Sequence, residues 1–344
     1  MKIAGKDLSE ETFVIAEAGS NHNGSLETAK ELIDAASDAG ADAVKFQTFR
    51  AENLYVEETG EKETYFDNGQ SLYETMESME MPYDWIPELH QYCEDSGIVF
   101  LSTPFDERSA DELDDFVPAY KIASYTLSHH PFLRHVAEKD KPIIMSTGAH
   151  ELDEVREAVE VLREADAEDV VLLHCVASYP TPIESANVRA VKTLQDEFGV
   201  PTGLSDHTLD PTVAPSAAVA LGASVVEKHF TLDKSMEGPD HEFALEPDEL
   251  DEMVSTIRKT EKALGSGIVE VLDAEEELHE IARRRIHAVR GIKEGQTISE
   301  EDIAVLRSGQ RSRGAKPKFY EDLIGTRAKR SINQGDGVSL KDIY

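Results

Sequence analysis

Cysteines, basic residues and long hydrophobic runs are all scarce in this chain of 344 residues. Its two cysteines, Cys93 and Cys175, are too few for a disulfide framework and lack the spacing of a zinc site. No apolar run approaches the roughly 20 residues needed to span a bilayer, so no membrane partner is expected. The segment from Met1 to Glu10 lacks the apolar stretch of a secretory signal. The chain therefore reads as soluble and cytoplasmic. Lys and Arg number 34 against 69 Asp and Glu, a formal net charge of −35. That sign disfavours a phosphate-contacting footprint, and with it a nucleic-acid partner. The acids are dispersed, as at 107–115 and 151–154, not gathered in one tail. Dispersed self-repulsion destabilises a compact fold unless salt screens it, so the composition points to a halophilic protein working in a high-salt cytoplasm. Its unfolding midpoint is expected to rise strongly between low and molar KCl. A midpoint indifferent to salt in parallel thermal melts would reject that expectation.

Two short segments carry the most chemistry, Ser205-Asp206-His207-Thr208 and Glu227-Lys228-His229-Phe230. Each histidine closes a short apolar run that reads as a buried parallel strand, and the alanine-rich stretch between them is helix-sized. Neighbouring parallel strands lie about 4.8 Å apart, so the two imidazoles can converge on one divalent metal. Alternatively they are hydrogen-bonded core histidines. Strand patterns at 13–19, 43–49, 98–104, 119–124, 142–148, 170–177, 201–206 and 224–231 alternate with helical ones. Leu26 to Ala39, with Ala29, Leu32, Ile33 and Ala36 at helical spacing, is one such helix, and 152–165 is another. Eight strand–helix repeats with near-continuous apolar strands predict an α/β TIM (β/α)8 barrel, which takes about 250 residues. The long polar stretch 50–80 is placed to cover a site. After residue 267 the pattern changes to an acidic helical linker, 268–282, and then to a small β-rich domain, 283–344. Turn glycines Gly295 and Gly335 precede short extended stretches there.

The polar residues at strand ends form a coherent set: Glu17, Lys45, Gln47, Thr103, Lys121, Ser124, Ser146, Thr147, His174, Tyr179, Ser205, His207, Glu227 and His229. Two lysines in otherwise apolar strands are costly unless paired with anions. Together with small hydroxyls they suit a phosphate and a carboxylate. The bland alternative is a lysine–glutamate network that stabilises the barrel interior. Cys175 borders this set and reads as a strand residue, not a nucleophile.

Several stretches carry a resemblance. They are Phe13-Val-Ile-Ala-Glu-Ala-Gly-Ser-Asn-His-Asn-Gly24, Ala43-Val-Lys-Phe-Gln-Thr48, Ser102-Thr-Pro-Phe105, Tyr120-Lys-Ile-Ala-Ser124, Gly203-Leu-Ser-Asp-His-Thr208, and Glu227-Lys-His-Phe-Thr-Leu-Asp-Lys234 running on to Glu237-Gly-Pro-Asp-His241. In order and across the barrel, they resemble the sialic acid synthases of the N-acetylneuraminate synthase family. The tail resembles the antifreeze-like (SAF) domain that ends those enzymes, mainly through Ala282-Arg-Arg-Arg-Ile286, Arg307-Ser-Gly309 and Leu323-Ile-Gly325. The resemblance implies condensation of phosphoenolpyruvate with an N-acetylated amino sugar. It implies that His207 and His229 bind a divalent metal, Mn2+ or Mg2+. Lys45, Thr103, Lys121, Ser124, Ser146, Tyr179 and Ser205 would hold phosphoenolpyruvate, Gln47 and Asp240 would face the sugar, and Glu17 would sit by the metal and its water. It also implies a domain-swapped homodimer in which Arg307 of one chain, or else Arg311 or Arg313, reaches the sugar of the other.

Two positions depart from the family pattern. Thr126 stands where a glutamate normally engages the sugar, and Ala177 where a polar side chain is frequent. Met236-Glu-Gly-Pro-Asp-His241 is closer to neuraminate and legionaminate synthases, while Tyr120-Lys-Ile-Ala-Ser-Tyr125 is closer to pseudaminate and spore-coat synthases. A carbohydrate-binding homologue that has lost catalysis is the competing reading.

Overall fold

The computed structural model describes residues 1–58 and 71–344, which divide into two compact units, Met1–Gly265 and Ser266–Tyr344. In the first unit a small antiparallel hairpin, β1 (Lys2–Ile3) and β2 (Lys6–Asp7), precedes eight parallel strands. These are β3 (Phe13–Gly19), β4 (Ala43–Thr48), β5 (Val99–Pro104), β6 (Tyr120–Ile122), β7 (Ile143–Ser146), β8 (Val170–Cys175), β9 (Thr202–Asp206) and β10 (Val225–His229). The ladder runs β5-β4-β3-β10-β9-β8-β7-β6, and β5 lies against β6 to complete a near-closed barrel. Nearly every strand residue is buried, as a sheet covered on both faces requires.

The helices follow from local signals. In α1 (Leu26–Asp38), Ser25 caps the N-terminus by accepting from Thr28 N at 3.2 Å, and Ala29, Leu32, Ile33 and Ala36 form the buried face. Short helices α2 (Ala51–Leu54) and α3 (Leu72–Ser78) occupy the described parts of the 50–80 stretch, and 59–70 lies outside the described residues. Ladder helices α4 (Ile86–Ser96), α5 (Glu107–Leu113), α6 (His130–Ala137), α7 (Leu152–Glu164), α8 (Ala190–Phe198) and α9 (Val213–Ala220) follow. The last, α10 (Pro247–Leu264), opens with proline and a Glu246–Glu249 capping box. Among the described residues no helix is long and apolar enough to cross a membrane.

Seven of the eight expected strands are shorter than their patterns by one to three residues, and the first alone matches. The fourth barrel strand stops at Ile122, not 124, because the chain turns into a 3-10 helix at Ser124–Thr126. Phe13, Ile15, Ala43, Leu101, Ile144, Val171, Leu173 and Val225 fill the barrel interior below the site, and Ile3 and Leu8 of the hairpin segment join them. Outside the wall, Val14, Ala16, Val44, Phe46, Leu172 and Val226 pack with the helices.

In the second unit, a 3-10 turn (Asp273–Glu275) and α11 (Glu276–Ile281) lead into β11 (Arg284–Ala288), which pairs antiparallel with β12 (Ile303–Arg307). Isolated bridges such as Ile292↔Ile332 and Thr297↔Arg327 hold the remaining extended segments, with α12 (Tyr320–Leu323) beside them. Ile286, Ile292, Ile298, Ile303, Leu323 and Val338 form this unit's own core.

Candidate active site

Side chains alternate across a strand, so parity decides which residues enter the barrel. In β3 the odd positions Phe13 and Ile15 lie in the interior apolar cluster, which puts Glu17 inside above them. The register carries this around the barrel, pairing Glu17 with Lys45, Ser205 with Glu227, Cys175 with Ser205, and His229 with Glu17. The result is a polar layer at the C-terminal end of the strands, where barrel active sites are found.

The layer is tightly cross-linked. Lys45 Nζ lies 2.5 Å from Glu17 Oε2 and donates to Thr103 Oγ1 at 2.9 Å. Gln47 Nε2 donates to Glu17 Oε1 at 3.0 Å. Across the layer, Lys121 Nζ donates to Ser146 Oγ at 2.7 Å. Glu227 lies between the two lysines, 3.8 Å from each ammonium, and accepts from Ser205 Oγ at 3.0 Å. Ser124 Oγ accepts from Gly148 N at 3.0 Å, at the strand end beside Cys175. The imidazoles of His207 and His229 have centroids 5.3 Å apart, with the Tyr179 ring 4.3 Å from His207 and 6.2 Å from His229. His207 Nδ1 bonds the Val176 carbonyl at 3.0 Å, which leaves Nε2 as the ring nitrogen available to a ligand. His229 Nδ1 is buried without a hydrogen-bond partner, and Asp240 Oδ2 stands 3.6 Å away. Two imidazoles beside carboxylates give a nitrogen and oxygen donor set that fits Mn2+ or Mg2+. Among the described residues no group of three or more His, Cys, Asp or Glu is placed to hold a metal ion, so the protein itself would offer the two imidazoles.

Asp240 comes from the loop after β10, which is fastened to the loop after β3. Asn23 Nδ2 donates to Glu237 O at 2.9 Å, and His241 bonds Asn23 Oδ1 at 3.2 Å and Thr231 Oγ1 at 2.6 Å. Gly19, at φ +53, takes a backbone conformation that favours glycine where these groups meet. A β-carbon there would sit 3.4 Å from Asp240 Oδ2 and 3.5 Å from both Gln47 Nε2 and Glu17 Oε1.

Charge and burial oppose each other in the layer. Burial alone would lower Lys45, but Glu17 and Glu227 outweigh it and hold its pKa above the usual lysine range. Lys121 goes the other way, lowered by burial that Glu227 only partly offsets and by repulsion from Lys45. Burial would raise Glu227, but Lys121 and Lys45 hold it below the usual carboxylate range. Burial holds His229 well below the usual imidazole range, with His207 adding to the effect, and this keeps the ring neutral as a metal ligand must be. Asp240 is raised by burial to about 6. Glu17 is pushed up from 4.5 to about 7 by burial, opposed by Lys45 and reinforced by Glu227. Between those values the folded protein keeps a proton that the unfolded chain has released. The associated stabilisation is full below about 4.5 and is lost as pH rises through about 7. Glu17→Gln, which mimics the protonated acid, is therefore expected to melt above the parent by a margin that widens across this window in chelator-treated protein. A pH-independent margin would contradict it.

The barrel residues expected at the site join the layer or its rim, except His174 and Thr147. His174 has the opposite parity to Cys175, and its ring bonds Ala186 O at 3.0 Å on the outer side of β8. Thr147, just past β7, donates to Leu173 O at 3.1 Å, a bond to the wall itself. Thr126 is buried in the 3-10 turn after β6. Strand ends alone gave Glu227 no role, although it joins both lysines. Its parity with Ser205 and His229 was the available signal. In the second unit Arg307 is exposed at the end of β12, whereas Arg313 is paired with Glu280.

The NeuB family model matches residues 32–269 and the SAF domain model residues 283–343. Spore coat polysaccharide biosynthesis protein SpsE of Bacillus subtilis (strain 168) is 44% identical, over 99% of this chain and 95% of its own. Its crystal structure superposes with a TM-score of 0.69, covering 100% of this chain and 99% of that one at 43% identity. N,N'-diacetyllegionaminic acid synthase of Legionella pneumophila is 42% identical, over 94% of this chain and 92% of its own. A Campylobacter jejuni pseudaminic acid synthase is 39% identical, over 99% of both chains.

Proposed function

The chain belongs to the NeuB family of biosynthetic enzymes, and on that premise we propose that it is a nonulosonate synthase. It condenses phosphoenolpyruvate with an N-acetylated hexosamine such as N-acetylmannosamine and releases phosphate. The observation that carries this reading is one buried layer in which Lys45 and Lys121 face His207 and His229 across the barrel mouth. A network serving only stability has no need of a neutral, unpartnered imidazole.

Lys45 and Lys121 clamp the anionic ends of phosphoenolpyruvate, with Thr103, Ser124, Ser146 and Ser205 offering hydroxyls and Tyr179 closing over it. Gln47 and Asp240 face the sugar. A divalent metal, Mn2+ or Mg2+, held by His207 and His229 would supply Lewis-acid polarisation of the sugar's aldehyde oxygen. The enol carbon of phosphoenolpyruvate bonds to the aldehyde carbon, leaving an oxocarbenium at the carbon that bears the phosphate ester. Water adds to that carbon, Glu17 relays its proton to the alkoxide left on the former aldehyde carbon, and the C–O bond to phosphate then breaks as the new hydroxyl gives up its proton. A base whose pKa lies near 7 suits this step.

Phosphate release should appear when the protein is mixed with phosphoenolpyruvate, Mn2+ and a panel of N-acetylated amino sugars. The panel also distinguishes acceptors, since Thr126 removes a carboxylate and leaves legionaminate, pseudaminate and spore-coat type sugars as alternatives. Silence with every sugar, with ligand binding retained, would favour a non-catalytic carbohydrate-binding protein. The functional unit we propose is a domain-swapped homodimer, Arg307 of one chain completing the sugar site of the other. Mixing His229→Ala with Arg307→Ala protein should then restore activity through hybrids that have one complete site. No recovery after demonstrated subunit exchange would refute the swap.

A further inference from the structure

Lys228 immediately precedes His229 on β10, so its side chain has the opposite parity and lies on the outer side of the barrel wall. It is only 2% exposed, as is Thr208, and Asp206 is 3% exposed. Its ammonium sits 2.5 Å from Asp206 Oδ2 and also donates to the Thr208 carbonyl. Asp206 closes the circuit, since Oδ1 accepts from Thr208 N at 3.0 Å and Oδ2 from Thr208 Oγ1 at 2.9 Å. The residues on both sides of His207 are thus tied to each other and to the residue before His229. Asp206 and Lys228 are also direct partners in the β9–β10 ladder.

A buried ion pair is weak evidence of a stabilising role, because desolvation offsets most of the attraction. Two well-packed apolar side chains would fill the same wall. They would not hold the backbone on either side of residue 207 with directed bonds. The Val176 carbonyl already fixes the rotation of the His207 ring, but ring rotation does not set where its α-carbon stands relative to β10.

We propose that Lys228, Asp206 and Thr208 form a positioning clamp on the outer wall that sets the separation of His207 and His229 and so preorganises the two-imidazole site for a divalent metal. This rests on the reading of those histidines as metal ligands. None of the three residues touches substrate. They act through the backbone of the strand ends, as outer-shell partners do when their loss weakens metal binding.

The decisive comparison uses the full-length chain and Mn2+ itself, titrated by calorimetry and by electron paramagnetic resonance, alongside thermal melts. The uncharged double variant Asp206→Leu/Lys228→Met should melt as one cooperative unit and bind Mn2+ about 10- to 100-fold more weakly than the parent. Thr208→Val, nearly the same size, should weaken Mn2+ binding in the same direction, while Thr208→Ser, which keeps the hydroxyl, should restore it. A purely structural role would shift melting points and leave the Mn2+ affinity of folded protein unchanged. The clamp is overturned if the folded double variant binds Mn2+ as the parent does. Should the double variant fail to fold, parental affinity in Thr208→Val overturns it equally. A parent that binds no Mn2+ removes the metal reading first and this inference with it, an outcome visible before any variant is made.

Discussion

Replacing His229 with alanine is expected to lower turnover by at least about 1,000-fold while leaving the barrel folded. The fold should survive because His229 Nδ1 has no hydrogen-bond partner to lose and its nearest anion, Asp240, is 3.6 Å away. The activity should not, because a metal Lewis acid contributes several kcal/mol to the transition state and each 1.36 kcal/mol is tenfold in rate. His207→Ala should be as inactive but less stable, since it also leaves the Val176 carbonyl without its imidazole donor. Phosphate-release assays with and without chelator, beside thermal melts, check both. Full activity in His229→Ala, or in excess chelator, would end the metal assignment.

The second large effect falls on folding. Gly203 lies inside β9, paired with Leu173 on one side and Val225 on the other. A β-carbon there would lie 2.1 Å from the Val225 carbonyl oxygen and 2.7 Å from Leu173 Cδ2. The closer obstacle is backbone of the neighbouring strand, so no rotamer change relieves it. Gly203→Ala must push β9 from β10 or break their ladder, and a loss above about 4 kcal/mol is expected. Such a loss is a large part of the roughly 5–15 kcal/mol that stabilises a typical domain. Soluble yield and denaturant midpoint should both fall sharply. Any protein that still folds should also have lost activity, because Ser205 and His207 ride on the displaced strand. A variant with the parent's midpoint would show that the wall yields more easily than its geometry implies.

Much of this is legible in the sequence, for a geometric reason. Strand alternation has a fixed period of two, so Lys45 and Gln47, Ser205 and His207, or Glu227 and His229 had to share a face. Once apolar runs marked the strands, that face followed. The eight repeats fixed the barrel in the same way, and the acidic linker and turn glycines marked the second unit. Less visible were features that depend on which atoms meet across the barrel. Glu227 stood at a strand end without an assigned role, yet its carboxylate lies between two ammoniums carried by β4 and β6. Parity also sends His174 outward, since it falls one position before the inward Cys175 on β8.

Sequence alone determined the strand and helix order, the division into two units, the chemistry available at the strand ends and the family to which the chain belongs. Tertiary structure decided which of those groups touch, and through burial and proximity which carry charge. Glu17 at about 7 and a neutral His229 are products of desolvation and of neighbours far away in the chain. It also decided that Lys228, outward by parity, meets Asp206 and Thr208, while the inward Lys45 and Lys121 meet Thr103 and Ser146. Periodicity is a property of the backbone and survives in any sequence that forms strands. Electrostatic environment depends on distances of a few ångströms between residues far apart in sequence, and only the closed barrel sets those.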